Sequence, residues 1–242
     1  MNLIIEQGNS ATKVAVYSKE QMEFTSVYED FSYSDLINLF NQYPLKNGIL
    51  SSVTETKKVL ITGLETRLER FFFFDDQVRL PIRIKYQTPE TLGRDRIAVA
   101  VGANFLQPQA DILVIDAGTA ITYEVIEAPG VYLGGNISPG MTTRFRALNR
   151  YTKRLPLVSN KENVPLLGTS TKSAILAGVV NGISYEMDGY IDELSKKYPC
   201  LYVFLTGGHA FYFEKRLKNT IFAVLNLVLI GLNRILEYNV DT

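Results

Sequence analysis

Residues 3–18, LIIEQGNSATKVAVYS, read as an apolar strand, a Gly-Asn-Ser bend and a second strand; residues 112–127, ILVIDAGTAITYEVIE, repeat that reading. Each run ends in an acid, followed by one residue, a glycine, a polar residue and a further strand. Laid over one another, Glu6 falls on Asp116, Gly8 on Gly118, Asn9 on Thr119 and Thr12 on Thr122. The copies lie 110 residues apart, close to half of the 242-residue chain. That is the spacing of a duplicated domain rather than of a short repeat array.

An ordinary hairpin needs only a Gly or Asn at its bend. The first bend also carries a carboxylate (Glu6), an amide (Asn9), two hydroxyls (Ser10, Thr12) and an ammonium (Lys13). Glycine lets the backbone approach a ligand closely, and successive N–H groups at a bend form an anion-binding concavity. The hydroxyls and Lys13 add donors for phosphate oxygens, and a carboxylate at each strand end suits a hard cation. Phosphate and cation together point to a nucleotide held between two halves, in a cleft.

Working outward, each half alternates strands with helices, which is α/β architecture. In the first, YSDLINLFNQY (33–43) has helical spacing, NGILSSV (47–53) is a short strand, and Phe71 to Phe74 are expected in the core. IRIKYQT (82–88) alternates as a strand, and LGRDRIAVAVGANFLQ (92–107) is a Gly turn leading into a helix. PQADI (108–112) marks the boundary, giving domains 1–108 and 109–242. In the second half, GVYLGGNISPGM (130–141) is a strand into a Gly-Pro loop, and residues 142–156 are a helix ended by Pro156. Residues 170–198 form a long helix, and LYVFLTGGHAFYFEKRL (201–217) a buried strand, a Gly-Gly loop and a helix. Cys200 is expected at a strand start in the core, and His209 as a loop or cap residue.

The composition is 46% hydrophobic and 21% charged, with 25 basic against 25 acidic residues. Zero net charge argues against a general nucleic-acid or membrane-surface binder. One cysteine excludes an internal disulfide and a cysteine-rich metal site. The opening MNLIIEQGN has neither a basic start nor a long apolar core, so no signal peptide is expected. TIFAVLNLVLIGL (220–232) falls short of the ~20 residues of a membrane helix. A cytoplasmic enzyme or binding protein is the default.

The paired phosphate hairpins are similar to those of the acetate kinase, sugar kinase and actin superfamily. Within it, EQGNSATK, TLGRDR, DAGTAITYE, GGNISPGM and GTSTKSAILAG, in this order, resemble the type III pantothenate kinases from residue 3 to about residue 233. The resemblance implies two duplicated actin-like (ribonuclease H-like) domains and transfer of phosphate from ATP to pantothenate, which opens coenzyme A biosynthesis. It implies that Asp95 is the general base, a role that a carboxylate near an acceptor hydroxyl serves well. Seen alone, Asp95 between Arg94 and Arg96 reads more often as a surface cap and salt bridge.

By the same resemblance, Gly93, Arg94 and Arg96 share the substrate-binding turn, and Arg96 pairs with the pantothenate carboxylate. Tyr86 lines that pocket, and Thr171 contacts substrate from its helix start. Glu6, Gln7, Gly8, Asn9, Ser10, Ala11, Thr12, Lys13 and Thr119 bind ATP, with which Mg2+ travels. Asp116 holds a monovalent cation, K+ or NH4+, and the protein is a homodimer. The sequence departs from the family in having Glu6, one methylene longer, where the first hairpin usually opens with Asp, and Ser10 where Thr is frequent. Two alternatives stand beside this reading. One is a family member that binds ligand without effective turnover and serves as a transcriptional accessory factor, against which the intact Asp95, Arg96, Asp116 and Thr119 weigh. The other is a kinase or phosphatase of the superfamily with a different acceptor.

Overall fold

The computed structural model describes residues 1–240 and comprises two compact units. One contains Met1–Gln109, Pro129–Leu133 and the segment from Asn226 onward; the other contains Ala110–Ala128 and Gly134–Leu225.

In the first unit β1 (Asn2–Gln7), β2 (Thr12–Ser18), β3 (Gln21–Tyr28), β4 (Asn47–Ser52) and β5 (Arg70–Phe73) form a sheet in the order β3-β2-β1-β4-β5. The β1–β2 and β2–β3 pairs are antiparallel, and β4 and β5 add in parallel. On one face Leu3, Ile5, Val14, Val16 and Leu50 pack with residues of α1 (Tyr33–Gln42) and α2 (Lys58–Arg67). On β1 and β4 also lies α7 (Leu227–Val240), itself packed along α3 (Arg94–Leu106). Both faces of β1 are thus covered, which is why Leu3, Ile4 and Ile5 run together without alternation.

The approach of α3 to α7 is backbone on backbone. A Cβ on Gly102 would lie 2.4 Å from the carbonyl oxygen of Leu227, and one on Gly231 would lie 1.8 Å from that of Ala98. A methyl group there forces the helices apart. Gly231→Ala is therefore expected to cost about 1–3 kcal/mol, at about 2–4 °C of Tm per kcal/mol in a chain of this size. A thermal melt checks this, and an unchanged Tm would contradict the contact.

In the second unit β7 (Ile112–Ala117), β8 (Ala120–Glu127), β9 (Val131–Pro139), β10 (Tyr202–Thr206) and β11 (Phe222–Ala223) follow the order β11-β10-β7-β8-β9. This is the first sheet's order over again: an antiparallel opening hairpin, with the fourth and fifth strands added in parallel. The long α5 (Thr171–Lys197) lies on the sheet, its Leu176, Val180, Ile183 and Met187 packed with Leu113, Ile115 and Leu205. Two shorter helices, α4 (Met141–Tyr151) and α6 (Ala210–Glu214), complete the unit. β6 (Arg83–Ile84) pairs with Val131 and Tyr132 at the start of β9, a segment that belongs to the first unit. Among the described residues no helix is long and apolar enough to cross a membrane.

Several expectations need correction. The bends differ in length: Gln7 pairs with Thr12 across four loop residues, whereas Ala117 pairs with Ile121 across three. Thr12 therefore corresponds to Ile121, not Thr122, and Lys13 takes the place of Thr122. Cys200 is exposed, because the chain is still in a turn there and β10 begins only at Tyr202. Of the four phenylalanines Phe74 is buried, but Phe73 is 39% exposed, since β5 is an edge strand. The strand expected over 82–88 pairs only at Arg83 and Ile84, and α4 stops at Tyr151, ahead of Pro156. Finally, the compact units differ from a single cut at 108/109, because α7 returns to pack on α3 and β1.

Candidate active site

At the first bend the Gly8 N–H donates to the Ala11 carbonyl at 3.0 Å. A Cβ on Gly8 would stand 3.3 Å from both the Ala11 oxygen and Glu6 Oε1, so glycine keeps the bend tight over the acid. Glu6 is buried, with Lys13 Nζ 3.5 Å from its Oε2 across the pair that joins β1 to β2. Burial pushes the Glu6 carboxyl up from its ordinary pKa, the Lys13 charge opposes this, and the charge of Asp95 adds to the rise. Glu6 thus senses Asp95. Asn9 and Ser10 are exposed at the tip, while Thr12 is buried. Gln7 accepts a hydrogen bond from Thr56 Oγ1 at 2.6 Å, so its carbonyl is committed to fixing the neighbouring loop.

Asp95 occupies the first turn of α3, whose preceding residue is Gly93. Its Oδ1 accepts the Arg96 backbone N–H at 2.9 Å, and a Cβ on Gly93 would come within 2.5 Å of that same oxygen. The glycine of the GRDR stretch is what leaves room for the acid. Arg96 is buried, with its guanidinium 5.8 Å from the centre of the Tyr86 ring. Tyr86 in turn meets the fully buried Tyr132 edge-on at 6.1 Å. Arg94 differs from Arg96: it pairs with Asp76 and lies over the Phe74 ring at 5.7 Å. Asp95, Gly93, Arg96 and Tyr86 therefore form one cluster, and Arg94 is braced from the side.

In the second unit Asp116 is the penultimate residue of β7, the position that Glu6 takes in β1. Its Oδ1 lies against Gly207, where a Cβ would come within 2.3 Å. Gly207 has φ +93°, a conformation that side chains rarely adopt, so the Gly-Gly loop after β10 can close over the acid only as glycine. The next residue but one, His209, precedes α6, and its backbone N–H donates to the Ala117 carbonyl at 3.0 Å. Burial holds its imidazole below the usual pKa, with the Ala117 carbonyl pulling the other way. The Thr119 carbonyl accepts from the Gly140 N–H at 3.0 Å and from Thr143 Oγ1 at 2.8 Å, which leaves the Thr119 side chain exposed.

Thr171 opens α5, exposed, behind a reciprocal cap between Ser170 and Ser173. The first unit thus holds residues 6–13 with Tyr86, Gly93, Arg94, Asp95 and Arg96, and the second holds Asp116, Thr119 and Thr171. Two residues went unassigned in the sequence: Ser51 stands beside Glu6 in the β1–β4 register, and Thr206 beside Asp116 in the β7–β10 register. Both are buried hydroxyls at the same place in the two sheets. The available signal was position, since each lies at the end of the fourth strand of its copy. Tyr132 gave no signal, because nothing in the sequence joins it to Tyr86. Among the described residues no group of three or more His, Cys, Asp or Glu is assembled for a metal.

This geometry has relatives. A protein named type III pantothenate kinase from Phocaeicola vulgatus is 49% identical over 99% of both chains. One of the same name from Bacteroides fragilis is 45% identical over 99% of this chain and 98% of its own. Among solved structures, a Baf family protein from Campylobacter jejuni, described as a transcriptional-activator candidate, superimposes with TM-score 0.64 at 22% identity, covering 99% of this chain and 100% of that one. A glucokinase from an Antarctic psychrotroph does so with TM-score 0.54 at 11% identity, covering 98% of each. These structural likenesses speak for the fold alone, α/β with two actin-like domains, and agree with the repeated sheet order. The sequence model of type III pantothenate kinases matches residues 2–193. With that match and relatives near half identity along the whole length, the chain belongs to the type III pantothenate kinase family.

Proposed function

We propose that the chain transfers the γ-phosphoryl group of ATP to the primary hydroxyl of pantothenate, giving 4′-phosphopantothenate and ADP, the first step of coenzyme A synthesis. The observation that carries this reading, within a family so named, is the Asp95 cluster: an acid fitted against Gly93, with a buried guanidinium and a tyrosine beside it. Asp95 orients the pantothenate hydroxyl and takes its proton as the new oxygen–phosphorus bond forms and the bond to the ADP oxygen breaks. Such transfer has a loose transition state, so most of the catalysis is positioning and charge stabilisation.

Arg96 pairs with the pantothenate carboxylate, and Tyr86 backed by Tyr132 forms the wall of that pocket. Arg94, braced by Asp76, keeps the turn in place, and Thr171 offers a hydroxyl to substrate. For the phosphates of ATP, the Gly8–Lys13 bend of the first unit presents donors at Asn9, Ser10 and Lys13, and the second bend presents the exposed Thr119. Lys13 also offsets the charge of Glu6, the longer acid of the first bend. Mg2+ carried by ATP would neutralise the phosphates, with Glu6 the acid within reach of the first bend. A monovalent cation, K+ or NH4+, would be held by Asp116, whose carboxylate oxygen lies against the backbone of Gly207 and Gly118.

The transcriptional reading is not favoured, since the residues of turnover are intact. The homodimer is supported by an apolar exposure on the second unit: Leu166, Leu167, Tyr185 and Phe211 are each more than half exposed, with Pro165 tied to Asn181 of α5 at 3.0 Å. A balanced net charge and a metabolic role support a cytoplasmic location. The test is ADP release with ATP and Mg2+, in potassium, ammonium or sodium salt, with pantothenate against glucose and acetate. Release is expected with pantothenate alone and is expected to rise when sodium is exchanged for potassium or ammonium. Release with a sugar or acetate instead would move the acceptor, and equal rates in all three salts would remove the cation from Asp116.

A further inference from the structure

Glu186, in the middle of α5, is no part of the site described above, yet it is half-buried with three donors on its two oxygens. Oε1 accepts from Tyr123 Oη at 2.8 Å and Ser138 Oγ at 2.7 Å, and Oε2 accepts from Arg144 Nη2 at 2.5 Å. Arg144 extends the chain of contacts: its Nη2 also reaches Ser138 Oγ at 2.7 Å, and its Nε donates to the Pro139 carbonyl at 2.7 Å. Four elements, β8, β9, α4 and α5, therefore meet at one carboxylate. The hydrogen bonds and the Arg144 charge outweigh burial and hold the Glu186 carboxyl below its ordinary pKa, so it is the anion that is built in.

The joint that Arg144 grips, Ser138–Pro139–Gly140, is the one that carries the second phosphate bend. The Gly140 N–H and Thr143 Oγ1 both donate to the Thr119 carbonyl, and a Cβ on Gly140 would come within 2.2 Å of the Gly118 oxygen. No slack remains between the joint and the bend. We propose that Glu186 is a positioning residue for nucleotide: through Arg144 and Ser138 it fixes the 138–143 joint, and through that joint the Gly118–Thr119 bend. It follows that Arg144, although basic and beside the bend, is spent on Glu186 and Pro139 and is no phosphate ligand. This inference rests on the reading of Thr119 as a phosphate contact.

The experiment uses the full-length protein and the non-hydrolysable ATP analogue AMPPNP with Mg2+, titrated calorimetrically, alongside the KM values for ATP and pantothenate. Glu186→Gln keeps shape but loses the anion that holds Arg144. AMPPNP affinity is expected to fall, and ATP KM to rise, by about 10- to 100-fold, the usual cost of removing a residue that orients a ligand-binding group. Pantothenate KM is expected to stay near wild type. Tyr123→Phe, which spares the Arg144 link, is expected to keep AMPPNP affinity, and Arg144→Lys, which loses the Pro139 contact, to weaken it as Glu186→Gln does. If Glu186→Gln does not fold, Arg144→Lys and Ser138→Ala decide the same question. A lowered Tm with unchanged AMPPNP affinity, or an equal rise in both KM values, would overturn the positioning role. Wild-type protein that binds AMPPNP but phosphorylates no pantothenate would instead fail the functional reading, while leaving the affinity comparison intact.

Discussion

Asp95→Asn is expected to lower kcat by ~10²- to 10⁴-fold, the usual contribution of a positioned base, or ~3–5 kcal/mol of barrier. Asparagine keeps the size and one acceptor oxygen, so the contact with the Arg96 backbone N–H and the fit against Gly93 survive. What it cannot do is take the hydroxyl proton. ATP affinity should change little, because Asp95 belongs to the acceptor cluster with Gly93 and Arg96 and not to either phosphate bend. Steady-state kinetics with both substrates varied checks the result. If kcat holds and only pantothenate KM rises, Asp95 is an anchor and the base lies elsewhere.

Arg96→Ala should split the other way. A buried guanidinium that pairs with a carboxylate is among the strong polar contacts, and truncating one partner of such a pair costs about 2–5 kcal/mol. Each 1.4 kcal/mol is about tenfold, so pantothenate KM is expected to rise ~30-fold to ~4 × 10³-fold, with ATP KM near wild type. Arg96 also covers the Tyr86 face, so some loss of Tm accompanies the change through lost packing. Arg96→Lys separates the two effects: it restores stem and charge but not the planar fork, and should recover Tm more fully than KM. Recovery of Tm and KM to the same extent by Arg96→Lys would show that Arg96 is a packing residue.

The parts of this structure that follow from local pattern were legible in the sequence. Two apolar runs that break at acid-x-Gly specify two strand-bend-strand units, and the sheets repeat one order around them. The GRDR turn announces a helix start because its glycine marks a turn and the small residues of 98–103 favour close packing; α3 begins at Arg94. What was not legible depends on contacts between distant segments. The one-residue difference between the bends is invisible when Thr12 and Thr122 align by chance. The return of α7 to the first unit is set by Gly102 and Gly231, which become meaningful only when the helices touch. Arg94 and Arg96 look alike in sequence and part company in the fold, where Asp76 and Phe74 meet the first and the buried second lies over Tyr86. Exposure of Cys200 follows from a turn that ends two residues later than the apolar run implies.

The central claim, that the Asp95 cluster serves phosphorylation of pantothenate, is tested most directly by following product rather than ATP consumption. Phosphorus NMR of pantothenate incubated with ATP, Mg2+ and K+ distinguishes a phosphate monoester on pantothenate from free phosphate. Wild-type protein is expected to convert pantothenate to its 4′-phosphate with equimolar ADP, and Asp95→Asn protein at equal concentration to do so at least ~10²-fold more slowly. ADP formed with free phosphate and no phosphopantothenate, or equal rates from wild type and Asp95→Asn, would contradict it.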